Sequence, residues 1–448
     1  MVLIFGDFAI FYLGLSATII LRYGASGLEI WWLQHLFPFS ALFAGWILIF
    51  AIAGLYDPLS FSASTQIREK IIRAMLVAGF ISIAIFYVFP QPGSITPKTS
   101  LAIDLTVTTF LLILWRKLYS VVLARSNKIS VIFFGLSEET NSLIDFLQKN
   151  PHLGYEPTCA VVPAGQTEQR KIELPIFIFN NDLPKIIREK RASIVVASLD
   201  IHTNADFIRM LYEVLPLGVA YLSFPQFYER ITGKIPVSMI SEIWFLENLT
   251  ENEKRIFEII KRALDLTASL ILGIAAIIIF PFAALAIKLT SPGPVLFRQK
   301  RVGKNGRLFE LIKFRTMVKN AENGRAVWAK ENDARVTSVG HVLRKTRLDE
   351  LPQIWNIIRG EMSLIGPRPE RPEFVEELKK QIPHYMMRLL VRPGLSGWAQ
   401  INFPYGASVE DAMEKLQYDL HYIKNRSLGL DISTALKTLF IIISRSGR

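Results

Sequence analysis

Four apolar runs fill the first quarter of this 448-residue chain, at about residues 2–20, 36–55, 71–89 and 101–114. Three approach the ~20 residues that a helix needs to cross a bilayer. The fourth does so only if it continues to residue 122, past Arg116 and Lys117. None shows the polar face that a soluble helix keeps toward water, which argues against a buried bundle in solution. A hydrophobic fraction of 51%, with 30 Phe and 8 Trp, points the same way. The first run lacks a basic start and carries Asp7, so a retained membrane helix is expected rather than a cleaved leader. The linker after the second run holds Arg68, Lys70 and Arg73, and Arg116, Lys117, Arg125 and Lys128 follow the fourth. The other two linkers hold only Arg22 and Lys98. The positive-inside rule then puts the N-terminus, the second linker and everything after the fourth run on the cytoplasmic side.

From Lys128 the pattern changes. Short β-branched runs at residues 129–134, 158–162, 176–179 and 193–197 alternate with helix-like stretches at 138–149 and 183–190. That alternation predicts a parallel α/β sheet. The first turn reads Gly135-Leu136-Ser137-Glu138-Glu139-Thr140. A dinucleotide fingerprint needs further glycines where backbone approaches a pyrophosphate. Here side chains fill those positions, two of them acidic, so the expectation is a Rossmann-like module without a working NAD site, regulatory or structural in role. Residues 224–244 read as a connector.

Residues 264–287 form another apolar run, but basic residues flank both ends: Lys254, Arg255, Lys261 and Arg262 before it, Lys288, Arg298, Lys300, Arg301 and Lys304 after it. A spanning helix would strand one cluster on the wrong side. Pro281 lies inside the run, where it removes a backbone hydrogen bond and clashes with the preceding turn. The expectation is a re-entrant helix–break–helix at about residues 262–290 that enters and leaves one leaflet, with Pro281 as the membrane break. Both basic ends then meet the anionic inner surface.

The remaining chain is cytoplasmic and rich in Arg and Lys. Residues 297–303 and 309–317 read as a β-hairpin turning at Lys304-Asn305-Gly306, with Lys313 and Arg315 on the second strand. A helix near residues 342–347 leads to Asp349 and Glu350, and Pro352 is expected to open a helix over 351–358. Asp349 then falls at or beside the N-cap, where the helix dipole and free N–H groups favour an ionised carboxylate and attract phosphate. An ionised Asp ringed by cations can serve as a nucleophile toward phosphorus. Gly366-Pro367-Arg368-Pro369 and Arg392-Pro393-Gly394 each fix an arginine on a stiff segment. Lys313, Arg315, Arg368 and Arg392 together suggest an anion pocket, since planar Arg pairs well with phosphate. The net charge of +12 also predicts anionic partners, and the single Cys159 excludes an intrachain disulfide and a cysteine metal cluster.

These motifs, in order over residues 254–448, resemble the bacterial sugar transferases, the polyprenyl-phosphate hexose-1-phosphate transferases. The resemblance rests on Lys261-Arg262 with Asp265, Pro281, Lys313-Phe314-Arg315-Thr316-Met317, and Arg347-Leu348-Asp349-Glu350-Leu351-Pro352-Gln353. It continues through Gly366-Pro367-Arg368-Pro369-Glu370, Pro393-Gly394-Leu395-Ser396-Gly397-Trp398-Ala399-Gln400 and Asp419-Leu420-His421-Tyr422-Ile423. The upstream helices and Rossmann-like part resemble the long-form members. His421 and Arg426 depart from the common pattern, and neither touches the acid pair.

The resemblance implies that a UDP-sugar gives its hexose-1-phosphate to undecaprenyl phosphate, releasing UMP and starting exopolysaccharide or O-antigen repeat-unit assembly. It maps Asp349 as the nucleophile that carries a covalent phosphosugar, and Glu350 as catalytic partner and Mg²⁺ ligand. Lys313, Arg315, Arg347, Arg368, Pro369, Arg392 and Asp419 become the candidate substrate- and phosphate-binding residues. It further implies a multi-pass protein of the bacterial inner membrane with a cytoplasmic catalytic domain, contacts with membrane lipids, a homodimer, and no nucleic-acid partner. The expected fold is a membrane α plus α/β protein: a four-helix transmembrane domain (1–125), a Rossmann-like domain (126–245) and an α+β catalytic domain with the re-entrant helix (246–448). A membrane-bound nucleotide-sugar epimerase or dehydratase would need an intact glycine fingerprint and a Tyr-x-x-x-Lys pair, and the Gly135 turn speaks against it. A metal-binding glycosyltransferase would carry Asp-x-Asp, which is absent from this sequence. A non-catalytic assembly scaffold would tolerate loss of Asp349.

Overall fold

The computed structural model describes residues 2–56, 64–88, 98–125, 128–163, 174–179, 183–198, 205–249, 254–318, 333, 335–403, 406 and 408–443. Its contacts divide the chain into two units, Met1–Thr232 and Gly233–Arg448.

The first unit opens with four helices: α1 (Val2–Tyr23), α2 (Gly27–Ile52), α3 (Ser64–Val88) and α4 (Lys98–Arg125). Helix α2 starts earlier than its apolar run because Glu29, Gln34 and His35 are compatible with helix, and it continues across Pro38. Phe89, the expected end of the third run, lies outside the described residues. Phe11, Phe43, Trp46 and Phe50 pack edge to face between α1 and α2. The α1–α4 contact is different, because a polar seam runs along it. Asp7 pairs with Arg116 at 2.5 Å, both side chains buried. Thr18 and Thr108 donate to Asp104 Oδ1 at 3.5 and 3.2 Å. Arg22 donates to Ser100 at 2.5 Å. Buried polar contacts of this kind act only in one register, so they specify how α1 meets α4. Among the described residues, α1, α2 and one helix of the second unit are long and apolar enough to cross a membrane.

The sheet that follows is the expected parallel one. Strands β1 (Ile129–Phe134), β2 (Tyr155–Val162), β3 (Ile176–Ile178), β4 (Ile194–Ala197) and β5 (Ala220–Ser223) take the order β3-β2-β1-β4-β5. Helices α5 (Glu138–Lys149), α6 (Leu183–Glu189) and α7 (Ala205–Val214) connect them. Fully buried strands read as continuous apolar runs, which is why β1 and β4 were legible. At the first turn the Ser137 hydroxyl accepts from Thr140 N at 3.1 Å and caps α5, with Glu138 and Glu139 in its first turn. The expected connector is folded. It begins with α8 (Phe224–Thr232) and then passes into the second unit. There Ile235, Val237, Ile240 and Phe245, the last on α9 (Glu242–Asn248), share a core with Val375, Leu378, Leu416 and Leu420. The contact division falls at 232/233 because these apolar residues bury against the second unit.

Helix α10 spans Arg255–Thr290 without interruption, Pro281 included. This corrects the expected helix–break–helix. The proline removes a single intrahelical bond, and the turns on either side hold the helix through it. One stripe of α10, with Asp265, Ser269, Ala283 and Ile287, is buried against the second unit. Ile256, Leu270, Ile277, Phe282 and Leu289 lie exposed on its other faces.

Strands β6 (Leu296–Val302) and β7 (Leu308–Phe314) form the expected hairpin, with Asn305 at φ 55° in its turn. Helix α11 (Ser338–Lys345) is capped by Thr337, whose hydroxyl accepts from Gly340 N. A 3-10 turn over Leu348–Gln353 then leads into α12 (Ile354–Arg359). The chain continues through β8 (Ser363–Ile365), α13 (Pro372–Gln381), β9 (Gly394–Ser396), α14 (Trp398–Asn402), α15 (Val409–Asn425) and α16 (Leu428–Ile443).

Candidate active site

The acid pair does not sit where the helix-cap reading put it. Pro352 closes a 3-10 turn instead of opening an α-helix, and Arg347 is the capping residue. Arg347 takes φ 57°, a left-handed conformation unusual for a side-chain-bearing residue. Asp349 lies one residue inside that turn and is only 7% exposed. Its carboxyl is pushed up to about 6, first by burial and then by the neighbouring Glu350, against the pull of Lys313, Arg344 and Arg347. Its Oδ1 is buried and accepts no hydrogen bond. Glu350 faces Arg368 at 3.2 Å and Arg347 at 3.6 Å.

The scaffold under this turn is rigid for identifiable reasons. The turn packs on β7, which supplies Lys313. Burial, together with Arg301, lowers the Lys313 ammonium to about 8, and its Nζ lies 5.2 Å from the Phe297 ring centre. Asn356, fully buried on α12, donates to Glu310 O at 2.8 Å and accepts from Ile312 N at 3.2 Å, which staples α12 to β7. From α10, Arg262 donates to the last carbonyls of α12, Ile357 O at 2.6 Å and Ile358 O at 2.9 Å. Asp265 accepts from Leu364 N at 3.1 Å, and Lys261 pairs with Asp431 at 2.5 Å. The basic residues at the start of α10 thus anchor it to the catalytic scaffold.

Lys313, Arg347 and Arg368 gather around Asp349 and Glu350. Arg315 and Arg392 do not join them. The Arg315 guanidinium donates to Ser291 O at 2.7 Å and Pro292 O at 3.0 Å, so it fastens the exit from α10. Arg392 donates to Gly360 O at 3.1 Å and lies 3.7 Å from Glu258. The motif around Arg392 has another purpose. Gly394 N donates to Pro367 O, Gly366 N donates to Ser396 O, and a Cβ on Gly394 would stand 2.1 Å from Gly366 N. Two glycine turns thus pack backbone to backbone and hold the arm that carries Arg368.

Pro369 is buried, and its carbonyl accepts from Arg301 Nη1 at 3.0 Å, so it too holds this arm. The resemblance implies a substrate-side role for Asp419. It is 1% exposed and pairs with Arg388 at 2.8 Å. Arg388 also donates to Tyr385 Oη at 2.8 Å and to Arg368 O at 3.1 Å. Burial raises the Asp419 carboxyl while Arg388 draws it down. The pair acts on the site from behind, through the Arg368 backbone.

Arg301 and Arg388 are not among the candidate site residues, and Arg344 enters the sequence reading only as a cation just upstream of the acid pair. Arg344 donates to Thr316 Oγ1 at 2.9 Å and adds positive field at Asp349. A lone arginine between Met386-Met387 and Leu389-Leu390 was the available sign for Arg388, since a charge inside an apolar run must find a partner. Among the described residues, no group of three or more His, Cys, Asp or Glu could hold a metal by itself.

The family profile described as Bacterial sugar transferase matches residues 256–445. A UDP-glucose:undecaprenyl-phosphate glucose-1-phosphate transferase of Klebsiella pneumoniae is 30% identical over 319 residues, 70% of this chain and 68% of that one. This chain belongs to the bacterial sugar transferase family. Within it, a UDP-N-acetylgalactosamine-undecaprenyl-phosphate N-acetylgalactosaminephosphotransferase of Aeromonas hydrophila is 42% identical over 57% of this chain and 60% of its own length. A UDP-glucose:undecaprenyl-phosphate glucose-1-phosphate transferase of Escherichia coli K12 is 42% identical over 41% and 40%. The sugar transferase described here thus spans less than two thirds of the length of these last two relatives. A second profile, described as CoA-binding domain, matches residues 51–225.

Proposed function

We propose that this sugar transferase moves a hexose-1-phosphate from a UDP-sugar to undecaprenyl phosphate, releasing UMP and beginning the assembly of an exopolysaccharide or O-antigen repeat unit. The observation that carries this reading is the buried, unbonded carboxylate of Asp349 inside a ring of Lys313, Arg344, Arg347 and Arg368. Relatives named as transferring glucose-1-phosphate or N-acetylgalactosamine phosphate to the same lipid support it.

Asp349, largely deprotonated above its pKa of about 6, attacks the sugar-linked phosphorus. A bond forms from the carboxylate oxygen to phosphorus. The bond from phosphorus to the bridging oxygen breaks, and UMP leaves with that electron pair. The phosphate of undecaprenyl phosphate then attacks the same phosphorus, and the Asp349–phosphorus bond breaks, restoring the carboxylate and forming the lipid diphosphosugar. Burial strips water from the nucleophile, and the cations offset the repulsion between anions where charge builds up. Lys313 and Arg368 hold the transferring phosphate, and Arg388 with Asp419 fixes the Arg368 backbone.

Mg²⁺ fits this donor set. The ion is usually held by one or two carboxylates together with substrate phosphates and water, not by an all-protein cage. Glu350, with the nucleotide's phosphate oxygens, would hold it, and the ion would lower the negative charge on the diphosphate.

The membrane placement belongs to the same reading. The first four helices form a transmembrane bundle with its N-terminus in the cytoplasm, in a bacterial inner membrane, and the protein works as a homodimer. Helix α10, unbroken over Arg255–Thr290, lies along the cytoplasmic leaflet with its exposed apolar side chains in the lipid. The buried stripe of α10 with Asp265 and Ser269 supports this over a fifth span, since a span at this point would carry attached polar elements into the hydrocarbon. Radiolabelled UDP-sugars mixed with protein, Mg²⁺ and undecaprenyl phosphate should yield UMP, and Asp349→Asn should yield none. UMP release by Asp349→Asn at the parent rate would refute Asp349 as nucleophile.

A further inference from the structure

The far end of the β6–β7 hairpin and the C-terminal end of α12 enclose a cleft of about 520 Å³, within the range of small-ligand sites. Lys304, Arg307, Arg359 and Arg392 line it, with Glu361 as the one acid among its lining residues. That acid is engaged, because Asn356 donates to its carboxylate at 2.7 Å. Among the described residues, neither Lys304 nor Arg307 has an ion-pair partner. Arg359 lies over the Trp355 ring at 5.2 Å and keeps its guanidinium edge free of carboxylates. The cleft therefore has an uncompensated positive charge, and planar guanidiniums favour phosphate.

It is not the catalytic site. Helix α12 begins where the Asp349 turn ends and meets the cleft only at its far end, and no cation that acts on Asp349 lines the cleft. Its surroundings indicate what kind of phosphate enters. Arg392 ties the cleft to Glu258 in the first turn of α10, and Arg262 one turn later holds the end of α12. On those same turns α10 exposes Ile256 (74%) and Ile259 (65%). A free phosphate gains nothing from an apolar helix face beside it, whereas a phosphate carried on an apolar chain does.

We propose that this cleft is a second phosphate site, which takes the headgroup phosphate of a membrane lipid while the lipid chain lies along the exposed face of α10. The chemistry is a phosphate mono- or diester attached to an apolar tail, so phosphatidylglycerol and undecaprenyl phosphate both satisfy it. The site rests on membrane contact by α10 and not on the phosphotransfer reading.

The test uses the full chain in phosphatidylcholine nanodiscs with a fluorescent phosphatidylglycerol probe. Unlabelled phosphatidylglycerol, undecaprenyl phosphate, UMP and inorganic phosphate serve as competitors. Arg307→Gln/Arg359→Gln should weaken probe binding about tenfold or more, with a shallower salt dependence, while Asp349→Asn binds as the parent does. Lys304→Gln/Arg307→Gln, confined to the hairpin turn, should weaken it too without risk to the core. Either lipid should displace the probe at far lower concentration than UMP or phosphate. Parent-like binding by both double variants would overturn the site. Displacement by UMP or phosphate at lipid-like concentrations would overturn the lipid as occupant. Because Asp349→Asn is silent in this assay, failure of the cleft and failure of the nucleophile are read separately.

Discussion

Asp349 is held in a protonation conflict, and its consequences are measurable. Its pKa of about 6 in the fold exceeds the ordinary 3.8, so the folded chain binds the proton more tightly than the unfolded one. The stability this proton contributes is full below about pH 4 and is lost as pH rises through 6. Asparagine resembles the protonated acid, so Asp349→Asn should stabilise the protein at pH 8 by about 3 kcal/mol, visible as a higher Tm. An unchanged or lower Tm would mean that the carboxylate is not strained. Turnover depends on the opposite form. The profile of kcat/KM should rise through about pH 6 as Asp349 ionises and fall above about pH 8 as Lys313 loses its charge. A flat profile between pH 5 and 7 would contradict this. Arg388 belongs to the same scale. Replacing it by Lys keeps a charge but loses the fork that holds Asp419, Tyr385 and Arg368 O together. Activity should fall about tenfold, chiefly in kcat, since Arg368 would be misplaced at the reacting phosphate. Parent activity in Arg388→Lys would show that Arg368 needs no such hold.

Among the elements, the hairpin was legible because Asn305-Gly306 can adopt positive φ, a purely local property. The parallel strands were legible because burial on both faces leaves continuous apolar runs. What failed was non-local. The pattern Arg392-Pro393-Gly394 looks like a device for holding an arginine, but the reason for Gly394 is Gly366, 28 residues earlier in sequence and in van der Waals contact in the fold. Pro352 looked like a helix start, yet the chain tightens into a 3-10 turn because Leu348 and Leu351 must reach the core around Ala283, Ile287 and Phe314. The acid pair and three of its cations could be picked from sequence, since each lies in a short, locally distinct motif. Arg315, Arg392 and Asp419 lie in equally distinct short motifs, and only the fold shows that they brace the site. Gly394→Ala should cost at least about 1–3 kcal/mol through overpacking, read as a lower Tm, because the new methyl meets backbone that cannot rotate away. A Tm equal to the parent's would mean that the two turns can separate.

At the scale of the whole molecule, α10 joins chemistry to membrane. Reporter cysteines placed before Leu264 and after Ile287 should both react with an impermeant reagent from the cytoplasmic side alone. Labelling from opposite sides would make α10 a span and remove its placement along one leaflet. The most direct test concerns the covalent step. Protein and labelled UDP-sugar would be mixed with Mg²⁺ but no lipid acceptor, quenched in acid, digested and mapped by mass spectrometry. The account predicts a hexose-phosphate mass on the peptide that carries Asp349, which disappears when undecaprenyl phosphate is added. An adduct on any other residue, or lipid-linked product formed at full rate with no adduct at any time, would contradict it.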